Sequence, residues 1–498
     1  MTNTLYDALI APHVGNTSTF LEGDDGRQIS YHAFTCRVAQ MANVLAVNGV
    51  EPGDRIIVQT PKENDTIALF GGALQAGAVY LPLNTAYTNA EVRYFVEDAE
   101  PKLIICDPKD QEAMTTLAAE VGAKTLTLGG PNASLTRTAD TKAEVFQTAA
   151  RGPNDLAALL YTSGTTGRSK GAMMSHKNLL SNAQTLCELW QISGSDTLIH
   201  ALPIFHTHGL FVAMNTSLLA GAKVRLMEKF NIDAVLEALP KATMMMGVPT
   251  FYTRLLSETA FNKAVTANMR VFISGSAPLL AETHIAFEHR TGHRILERYG
   301  MTETNMITSN PYEGNRVAGT VGYPLPDTEV KITSPETGET LPANEIGVIE
   351  IRGDNVFQGY WKMPEKTAEE LREDGFFITG DLAVMDEEGR VTIVGRQKDL
   401  IIAGGYNIYP KEIEDVINDV AGVLESAVFG IPHADFGESV VAAIVLDDTK
   451  LTQAEIETAV GVQLARFKHP RVYHFLEALP RNTMGKVQKN LLRDQFSQ

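Results

Sequence analysis

The segment Tyr161–Gly171 concentrates groups that suit the binding of a phosphate chain. It reads Tyr-Thr-Ser-Gly-Thr-Thr-Gly-Arg-Ser-Lys-Gly. The glycines allow backbone N–H groups to approach an anion closely, the hydroxyls add donors, and Lys170 adds a mobile positive charge. The spacing is not that of the G-x-x-x-x-G-K-S/T nucleotide loop, because Gly171 follows Lys170. Composition alone leaves two interpretations, a phosphate-binding loop and a flexible surface loop.

A second segment, residues 297–304, reads Glu-Arg-Tyr-Gly-Met-Thr-Glu-Thr. The ring of Tyr299 could stack on a base, and the hydroxyl of Thr302 could donate to a phosphate oxygen. The carboxylate of Glu303 could bind a hard cation. Taken alone, the segment is a weak signal, because a turn before a helix has similar residues.

Other side chains that could do chemistry are isolated along the chain. His206 and His208 are two residues apart, but no third ligand lies nearby and no H-E-x-x-H motif occurs, so we exclude a zinc site. Asp381 follows a glycine, as turn residues often do. Lys486, near the C-terminus, would ordinarily be a solvated surface charge.

The bulk composition excludes several classes of partner. The chain has 498 residues, with 42 basic and 60 acidic side chains and a net charge of −18. That charge argues against nucleic acid and membrane surfaces, and an anionic substrate must be met by local positive charge. The three cysteines are widely spaced, which predicts a reduced, cytoplasmic compartment. We find no secretory signal, and the apolar run 440–446 is too short to span a bilayer.

The elements that must position these residues follow an α/β pattern. In residues 1–150, apolar runs such as Arg55–Gln59 alternate with amphipathic helices, which predicts mainly parallel sheets flanked by helices. Residues 319–394 change to short strands and turns, which predicts a small β-barrel-like subdomain. The remainder has an α+β pattern. We predict a large N-terminal domain, 1–396, and a smaller C-terminal domain, 397–498.

Together these motifs resemble the signature segments of the adenylate-forming superfamily, which comprises acyl-CoA synthetases, luciferases and the adenylation domains of peptide synthetases. The resemblance covers nearly the whole chain, with the motifs in the expected order. It implies ATP as a substrate and Mg²⁺ held by Glu303. The residues that it implies for nucleotide binding are Thr162, Ser163, Gly164, Thr165, Thr166, Lys170, Ser276, Ala277, Glu297, Tyr299, Thr302, Asp381, Arg396 and Lys486.

The resemblance also implies a mechanism in two half-reactions. A carboxylic acid and ATP give an acyl-adenylate and pyrophosphate, and the thiol of coenzyme A then displaces AMP. The catalytic residues that it implies are Lys486, Glu303, Thr302 and His206. The C-terminal domain is expected to be mobile and to rotate about Lys398, so that Lys486 enters the site for the first half-reaction and leaves it for the second. Similar ligases also imply a lysine acetyltransferase as a partner acting on Lys486.

Within the superfamily, the chain resembles the malonyl-CoA synthetases. The segments that carry this resemblance are residues 168–170, 203–210, 247–254 and 297–306. The resemblance implies that Arg254 binds the distal carboxylate of malonate, because a guanidinium can hold a carboxylate with two hydrogen bonds. The acyl-substrate residues that it implies are Arg254, His206, Ser276, Met306 and Arg168. Methylmalonate is the expected second substrate.

Three alternatives stay open. One is a ligase for another short acid, such as acetate or succinate; most superfamily members have proline where this chain has Ser169. Another is an adenylation domain that serves a carrier protein, which the short stretch after Lys486 disfavours. The third is a non-catalytic nucleotide-binding regulator, against which the presence of Lys170, Glu303 and Asp381 speaks. Hydride transfer is disfavoured, because no G-x-G-x-x-G segment follows a strand.

Overall fold

A computed structural model describes residues 2–162, 169–403, 406–433, 436–447, 451–482 and 485–497. Its α-helices are α1 (Thr4–Leu9), α2 (Tyr31–Val47), α3 (Asn64–Ala76), α4 (Asn89–Ala99), α5 (Gln111–Glu120), α6 (Ser134–Ala139), α7 (His176–Leu189), α8 (Asn215–Ala220), α9 (Ile232–Ala238), α10 (Pro249–Leu256), α11 (Ala281–Thr291), α12 (Pro364–Glu370), α13 (Pro410–Asn418), α14 (Gln453–Gln463) and α15 (Lys489–Phe496). Its strands are β1 (Thr19–Glu22), β2 (Gln28–Ser30), β3 (Arg55–Gln59), β4 (Val79–Pro82), β5 (Leu103–Cys106), β6 (Lys124–Thr127), β7 (Leu156–Thr162), β8 (Lys170–Ser175), β9 (Thr197–His200), β10 (Lys223–Leu226), β11 (Met244–Gly247), β12 (Val271–Ser274), β13 (Leu296–Met301), β14 (Asn305–Ser309), β15 (Tyr323–Pro324), β16 (Thr328–Thr333), β17 (Gly347–Gly353), β18 (Phe377–Met385), β19 (Val391–Arg396), β20 (Ile401–Ala403), β21 (Tyr406–Ile408), β22 (Val423–His433), β23 (Gly437–Leu446) and β24 (Val472–Phe475).

The N-terminal part contains a six-stranded sheet with the strand order β6-β5-β3-β4-β7-β8. Neighbouring strands run parallel from β6 to β7, and β8 returns antiparallel beside β7. Helices α2 and α3 pack tightly against each other, and a Cβ on Gly72 would lie 2.6 Å from that of Met41. Glycine is therefore required where the two helices meet. The alternating strand and helix pattern of residues 1–150 is confirmed.

A second sheet has nine strands in the order β15-β14-β13-β12-β11-β9-β10-β1-β2. Its central strands, from β13 to β1, are parallel, and antiparallel strands flank them on both sides. The chain leaves the carboxyl ends of β9, β11 and β12 in loops that contain several of the predicted site residues. Parallel α/β sheets bind ligands at this edge.

The rest of the chain forms two further sheets. Strands β16-β17-β18-β19 make an antiparallel sheet, in agreement with the short strands predicted for residues 319–394. Strands β21-β20-β23-β22, with β24 beside β23, form a five-stranded sheet against which α13, α14 and α15 pack. The predicted fold class, a large α/β part followed by a smaller α+β part, is confirmed.

Within the described ranges, no helix is long and apolar enough to cross a membrane.

A buried ion pair ties together the starts of three neighbouring parallel strands. The guanidinium of Arg270, just before β12, donates to both carboxylate oxygens of Asp196, just before β9, at 2.6 and 2.8 Å. The hydroxyl of Thr243, just before β11, donates to the same carboxylate at 2.7 Å. Asp196 is only 3% exposed. This carboxylate therefore depends on its partners for the interactions that water would otherwise provide.

We predict that Arg270→Met lowers the free energy of unfolding by about 3 kcal/mol, because Asp196 keeps a buried charge without its cation. Urea denaturation followed by tryptophan fluorescence would measure the change. The control is the double variant Asp196→Asn with Arg270→Met, which carries neither charge and should recover part of the loss. Equal stability of native protein and Arg270→Met would contradict the assignment.

Candidate active site

The ends of the predicted phosphate loop are held together by a β-hairpin. Strands β7 and β8 are antiparallel, and Thr162 lies opposite Lys170. The hydroxyl of Tyr94 in α4 donates to the carbonyl of Ser169 at 2.7 Å, which fixes one end of the loop. The predicted nucleotide-binding residues Ser163, Gly164, Thr165 and Thr166, and the predicted acyl-binding residue Arg168, lie outside the described residues.

Lys170 lies in a compact cluster with three side chains from other segments. Its ammonium donates to both oxygens of Glu370, at 3.0 and 3.1 Å, and to the hydroxyl of Tyr360, at 3.1 Å. It also lies 4.1 Å from the centroid of the Tyr360 ring. The hydroxyl of Tyr360 is 2.6 Å from Glu370 and 3.1 Å from Glu303. The predicted phosphate ligand and the predicted metal ligand therefore share one aromatic partner.

Glu303 is buried at the base of this cluster. Thr162 approaches its carboxylate at 3.4 Å. Burial raises the pKa of Glu303 above its usual value, and the nearby charge of Lys170 opposes that rise. Among the described residues there is no group of three or more histidine, cysteine or acidic side chains that could hold a metal ion. Glu303 suits Mg²⁺ all the same, because this ion commonly binds one or two carboxylates together with substrate phosphates and water.

A second cluster joins three of the residues predicted to bind the nucleoside. The hydroxyl of Tyr299 donates to Asp381 at 2.6 Å. Asp381 on β18 lies opposite Arg396 on β19, and the guanidinium of Arg396 is 3.2 Å from the same carboxylate. Strands β13, β18 and β19 thus bring together an aromatic ring, a carboxylate and a guanidinium, a set that could bind a base and the hydroxyls of a ribose.

The loop after β12 and the start of β13 supply the other predicted base contacts. Ser276 and Ala277 are half-buried directly after β12, and Ser276 has a positive φ of 71°. Glu297 is buried, and it accepts a hydrogen bond from the backbone N–H of Leu279 at 3.4 Å. Burial raises the pKa of Glu297 to about 8. Its carboxyl is therefore mostly protonated at neutral pH, and can both donate to and accept from a ligand.

His206 lies on a loop that leads into a π-helix, His208–Met214, and His208 is the first residue of that helix. Burial lowers the pKa of His206 to about 3 and that of His208 well below its usual value, so both rings are neutral. One ring nitrogen of His208 lies 3.2 Å from the hydroxyl of Ser276. Within the described part of the chain, Nε2 of each histidine is buried without a hydrogen-bond partner. A neutral imidazole in this position can donate to or accept from a bound acid. Irregular helical turns such as this one often occur at functional sites.

Arg298 is a buried cation that the sequence reasoning missed. It is 3% exposed, and its Nε and Nη2 have no hydrogen-bond partner among the residues that the structure describes. Burial lowers its pKa to about 9. A Cβ on Gly275 would lie 2.3 Å from the guanidinium carbon, so only glycine leaves room for this side chain. The signal in the sequence was an arginine directly after Glu297, inside the segment 297–304 that was already singled out.

The structure separates the remaining predicted acyl-substrate residues. Met306 on β14 is 2% exposed. Arg254 lies in the last turn of α10 with its side chain exposed to solvent. Thr302 and His206 instead line one small cavity together, next to Leu83, Tyr161 and Phe205. The role of Arg254 stays a prediction, and Arg298 is the arginine that lies in the interior.

Lys486 belongs to a turn that faces both clusters. Its backbone N–H donates to the side chain of Asn482 at 3.0 Å. Part of the Lys486 side chain is accessible to solvent. The protein packed around its ammonium removes hydration and so lowers its pKa to about 8, and the positive charge of Arg396 lowers this pKa further. Asp381 and Glu303 are close enough to oppose the shift. The residue predicted to act in catalysis is therefore brought to the predicted nucleotide and metal ligands.

The predicted hinge residue lies between two sheets. Lys398 is in a single 3₁₀ turn, Gln397–Asp399, between β19 of the antiparallel sheet and β20 of the C-terminal sheet. Asp399 accepts a hydrogen bond from Arg493 in α15 at 2.9 Å. Few residues join the two sheets here, as a hinge requires.

Tyr360 and Glu370 were also missed by the sequence reasoning. Both contact Lys170, although they are 190 and 200 residues away along the chain. Neither belongs to a segment that was singled out, and acidic residues crowd the end of α12. No local signal separates Glu370 from its neighbours.

Comparison with known proteins shows the family to which the chain is related. The AMP-binding enzyme family matches residues 11–361, and its C-terminal domain matches residues 412–486. Malonate–CoA ligase of Arabidopsis thaliana is 34% identical over 94% of this chain and 85% of its own length. Long-chain-fatty-acid–CoA ligase of Bacillus subtilis is 33% identical over 94% of this chain and 90% of its own length.

Solved structures extend the similarity to the arrangement of the whole chain. ATP-bound MatB from Rhodopseudomonas palustris is 52% identical, covers 100% of this chain and 99% of that chain, and gives a TM-score of 0.98. The apo form of the same protein gives 0.88. This chain therefore has an arrangement nearer to the ATP-bound form. On the matches to both family domains and to these relatives, the chain belongs to the AMP-binding enzyme family, among its CoA ligases.

Proposed function

We propose that the protein joins malonate to coenzyme A at the expense of ATP, releasing AMP and pyrophosphate. The observation that carries this proposal is the meeting of Lys486 with the Tyr299–Asp381–Arg396 cluster, Glu303 and the buried cation Arg298. The malonate–CoA ligase relative and the motifs of the chain support the choice of acid. A ligase for another short acid is the alternative.

In the first half-reaction, a carboxylate oxygen of malonate attacks the α-phosphorus of ATP. A bond from oxygen to phosphorus forms, the bond from the α-phosphorus to the bridging oxygen breaks, and pyrophosphate leaves with the electron pair. We assign Lys170 and Thr302 to the phosphates, and Asp381 with Arg396 to the ribose. Glu303 would hold Mg²⁺, which neutralises phosphate charge when bound.

Lys486 is assigned the central role in this step. Two anionic reactants repel each other as they approach, and negative charge develops on the oxygens around phosphorus. A cation between them is worth most in the transition state, where this charge is largest. The accessible position of Lys486 lets it reach both reactants.

Arg298 supports a substrate with a second carboxylate. A buried guanidinium without a counter-ion is costly, and a bound carboxylate would supply the missing acceptor. An apolar acyl chain would leave this cost in place, which disfavours a fatty acid. The exposed Arg254 is the other candidate ligand for the second carboxylate. From its position on α10 it would bind this group from the solvent side of the site.

In the second half-reaction, the thiol of coenzyme A attacks the acyl carbonyl. The carbon–sulfur bond forms, the bond from carbon to the AMP oxygen breaks, AMP leaves with the electron pair of that bond, and the thiol proton passes to solvent. We propose that the domain of residues 397–498 rotates about Lys398 between the two steps, withdrawing Lys486 and admitting the thiol.

Two further proposals concern the setting of the enzyme. A cytoplasmic location is supported by three cysteines that are all free thiols. Acetylation of Lys486 by a lysine acetyltransferase would remove its charge and stop the first half-reaction. Its accessible side chain supports this idea, and mass spectrometry of protein isolated from cells would test it.

The substrate assignment is tested by a panel of acids. We expect thioester formation with ATP and Mg²⁺ to be fastest with malonate, then methylmalonate, and slower with acetate, succinate and octanoate. Arg298→Met should raise the KM for malonate by roughly 10- to 100-fold, as expected for loss of a hydrogen-bonded charge pair. Arg254→Ala is the comparison. If only Arg254→Ala selectively loses thioester formation with malonate, Arg254 and not Arg298 binds the distal carboxylate. A preference for octanoate would refute the malonate assignment.

The charge of Lys486 predicts a pH dependence. Its pKa is lowered to about 8, and the protonated form is the active one. The kcat/KM for malonate-dependent ATP–pyrophosphate exchange should therefore fall as the pH rises through about 8, because this parameter reports groups of the free enzyme. Lys486→Arg, whose guanidinium stays charged throughout this range, should be slower but should show no such decline. The same decline in both proteins would contradict the role.

The hinge is tested by Lys398→Pro. Proline restricts the backbone rotation that domain movement needs. We expect thioester formation to fall much more than ATP–pyrophosphate exchange, which needs only the first arrangement. Single-turnover measurements of each half-reaction would compare the two. An equal loss of both would count against a hinge at this residue.

A further inference from the structure

Every N–H donor of the Lys170 ammonium is already occupied. An ammonium has three donors, and in this structure they face the two oxygens of Glu370 and the hydroxyl of Tyr360, all within 3.1 Å. Lys170 is 14% exposed and Glu370 is 23% exposed, so water screens the pair only in part. A phosphate that binds Lys170 must therefore replace at least one of these acceptors.

Glu370 is itself well supported as an anion. It accepts from the hydroxyl of Tyr360 at 2.6 Å, and the ammonium of Lys366 lies 3.0 Å from it. Burial opposes ionisation of Glu370, but the hydrogen bonds from Tyr360 and the two lysines outweigh it, so its pKa is lowered. If Lys170 left the pair, Tyr360 and Lys366 would still hold the carboxylate.

We propose that Glu370 is an internal competitor for the phosphate chain of ATP, holding Lys170 until the nucleotide displaces it. This inference rests on the proposed function, in which Lys170 binds a phosphate. The exchange replaces one anionic partner of Lys170 by another, and Glu370 remains bound to Tyr360 and Lys366. The carboxylate thus keeps the loop lysine ordered before ATP arrives, and it weakens ATP binding by the cost of breaking the pair.

The neighbouring residue offers a matched control. Glu369 carries the same charge on the same helix, but it is 64% exposed, and the ion pair that it forms is with Lys366. Glu369→Gln therefore removes one negative charge near the site and leaves the pair of Lys170 with Glu370 intact. Any general electrostatic effect on an anionic ligand should appear in both variants.

Isothermal titration of the full-length protein with Mg·ATP, without the acid, measures the effect. Glu370→Gln should bind ATP about fivefold more tightly than the native protein, which corresponds to about 1 kcal/mol for a partly exposed ion pair. Glu370→Asp, which keeps the charge but shortens its reach, should lie between them. Glu369→Gln should match the native protein.

A double-mutant cycle identifies Lys170 as the link. In a Lys170→Met background, Glu370→Gln should no longer change ATP affinity. Unchanged or weaker binding by Glu370→Gln, or equal gains in Glu369→Gln, would overturn the inference while leaving the proposed function intact. Failure of the native protein to bind ATP would overturn both. Thermal unfolding of each variant verifies that the folded state is compared.

Discussion

The site must bring two anions into contact, a carboxylate and a triphosphate, in a protein with a net charge of −18. The negative electrostatic field of the molecule repels both anions, so nearby cations must offset their charge. The structure draws them from distant segments: Lys170 from the hairpin of β7 and β8, Arg298 from β13, Arg396 from β19, and Lys486 from the C-terminal part. The sheets and the turn around Lys398 matter because they bring these charges to one place.

Burial gives these groups their chemical character. It lowers the pKa values of His206 and Arg298, and raises those of Glu297 and Glu303. In each case the charged form loses hydration. Several of these groups, among them His206, Glu297 and Arg298, therefore keep hydrogen-bonding atoms that a bound ligand could satisfy. A bound nucleotide and acid would restore the interactions that burial removed.

Stability and function are divided between the two edges of the nine-stranded sheet. At the starts of β9, β11 and β12, Asp196, Thr243 and Arg270 form a closed set of hydrogen bonds with one another. At the other ends of these strands, Nε2 of His206 and of His208 and two guanidinium nitrogens of Arg298 have no hydrogen-bond partner in the described ranges. Buried polar atoms without partners destabilise a fold. The rest of the sheet must therefore be well stabilised if such atoms are to be kept beside the ligands.

Much of this protein could be predicted from its sequence, because the signals were local. Alternating apolar runs predicted the sheets, and contiguous motifs predicted the family. The nucleotide ligands that these motifs imply, including those of the Tyr299 to Glu303 segment, stay predictions. These motifs work because glycines, hydroxyls and charges must be adjacent in the chain to wrap a phosphate. The roles of individual residues, among them Arg254 and Lys398, stay predictions.

What only the tertiary structure decided is which distant side chains meet. Glu370 contacts Lys170, which is 200 residues away along the chain. The packing of β12, β13 and the histidine loop buries Arg298 without a counter-ion among the described residues. No spacing rule encodes such contacts, because they depend on how two sheets and a helix pack. The sequence by itself determined the fold class and the family, because both follow from local patterns and contiguous motifs. The tertiary structure decided which arginine is buried and which carboxylate holds the loop lysine, because burial and long-range contact exist only once the chain has folded.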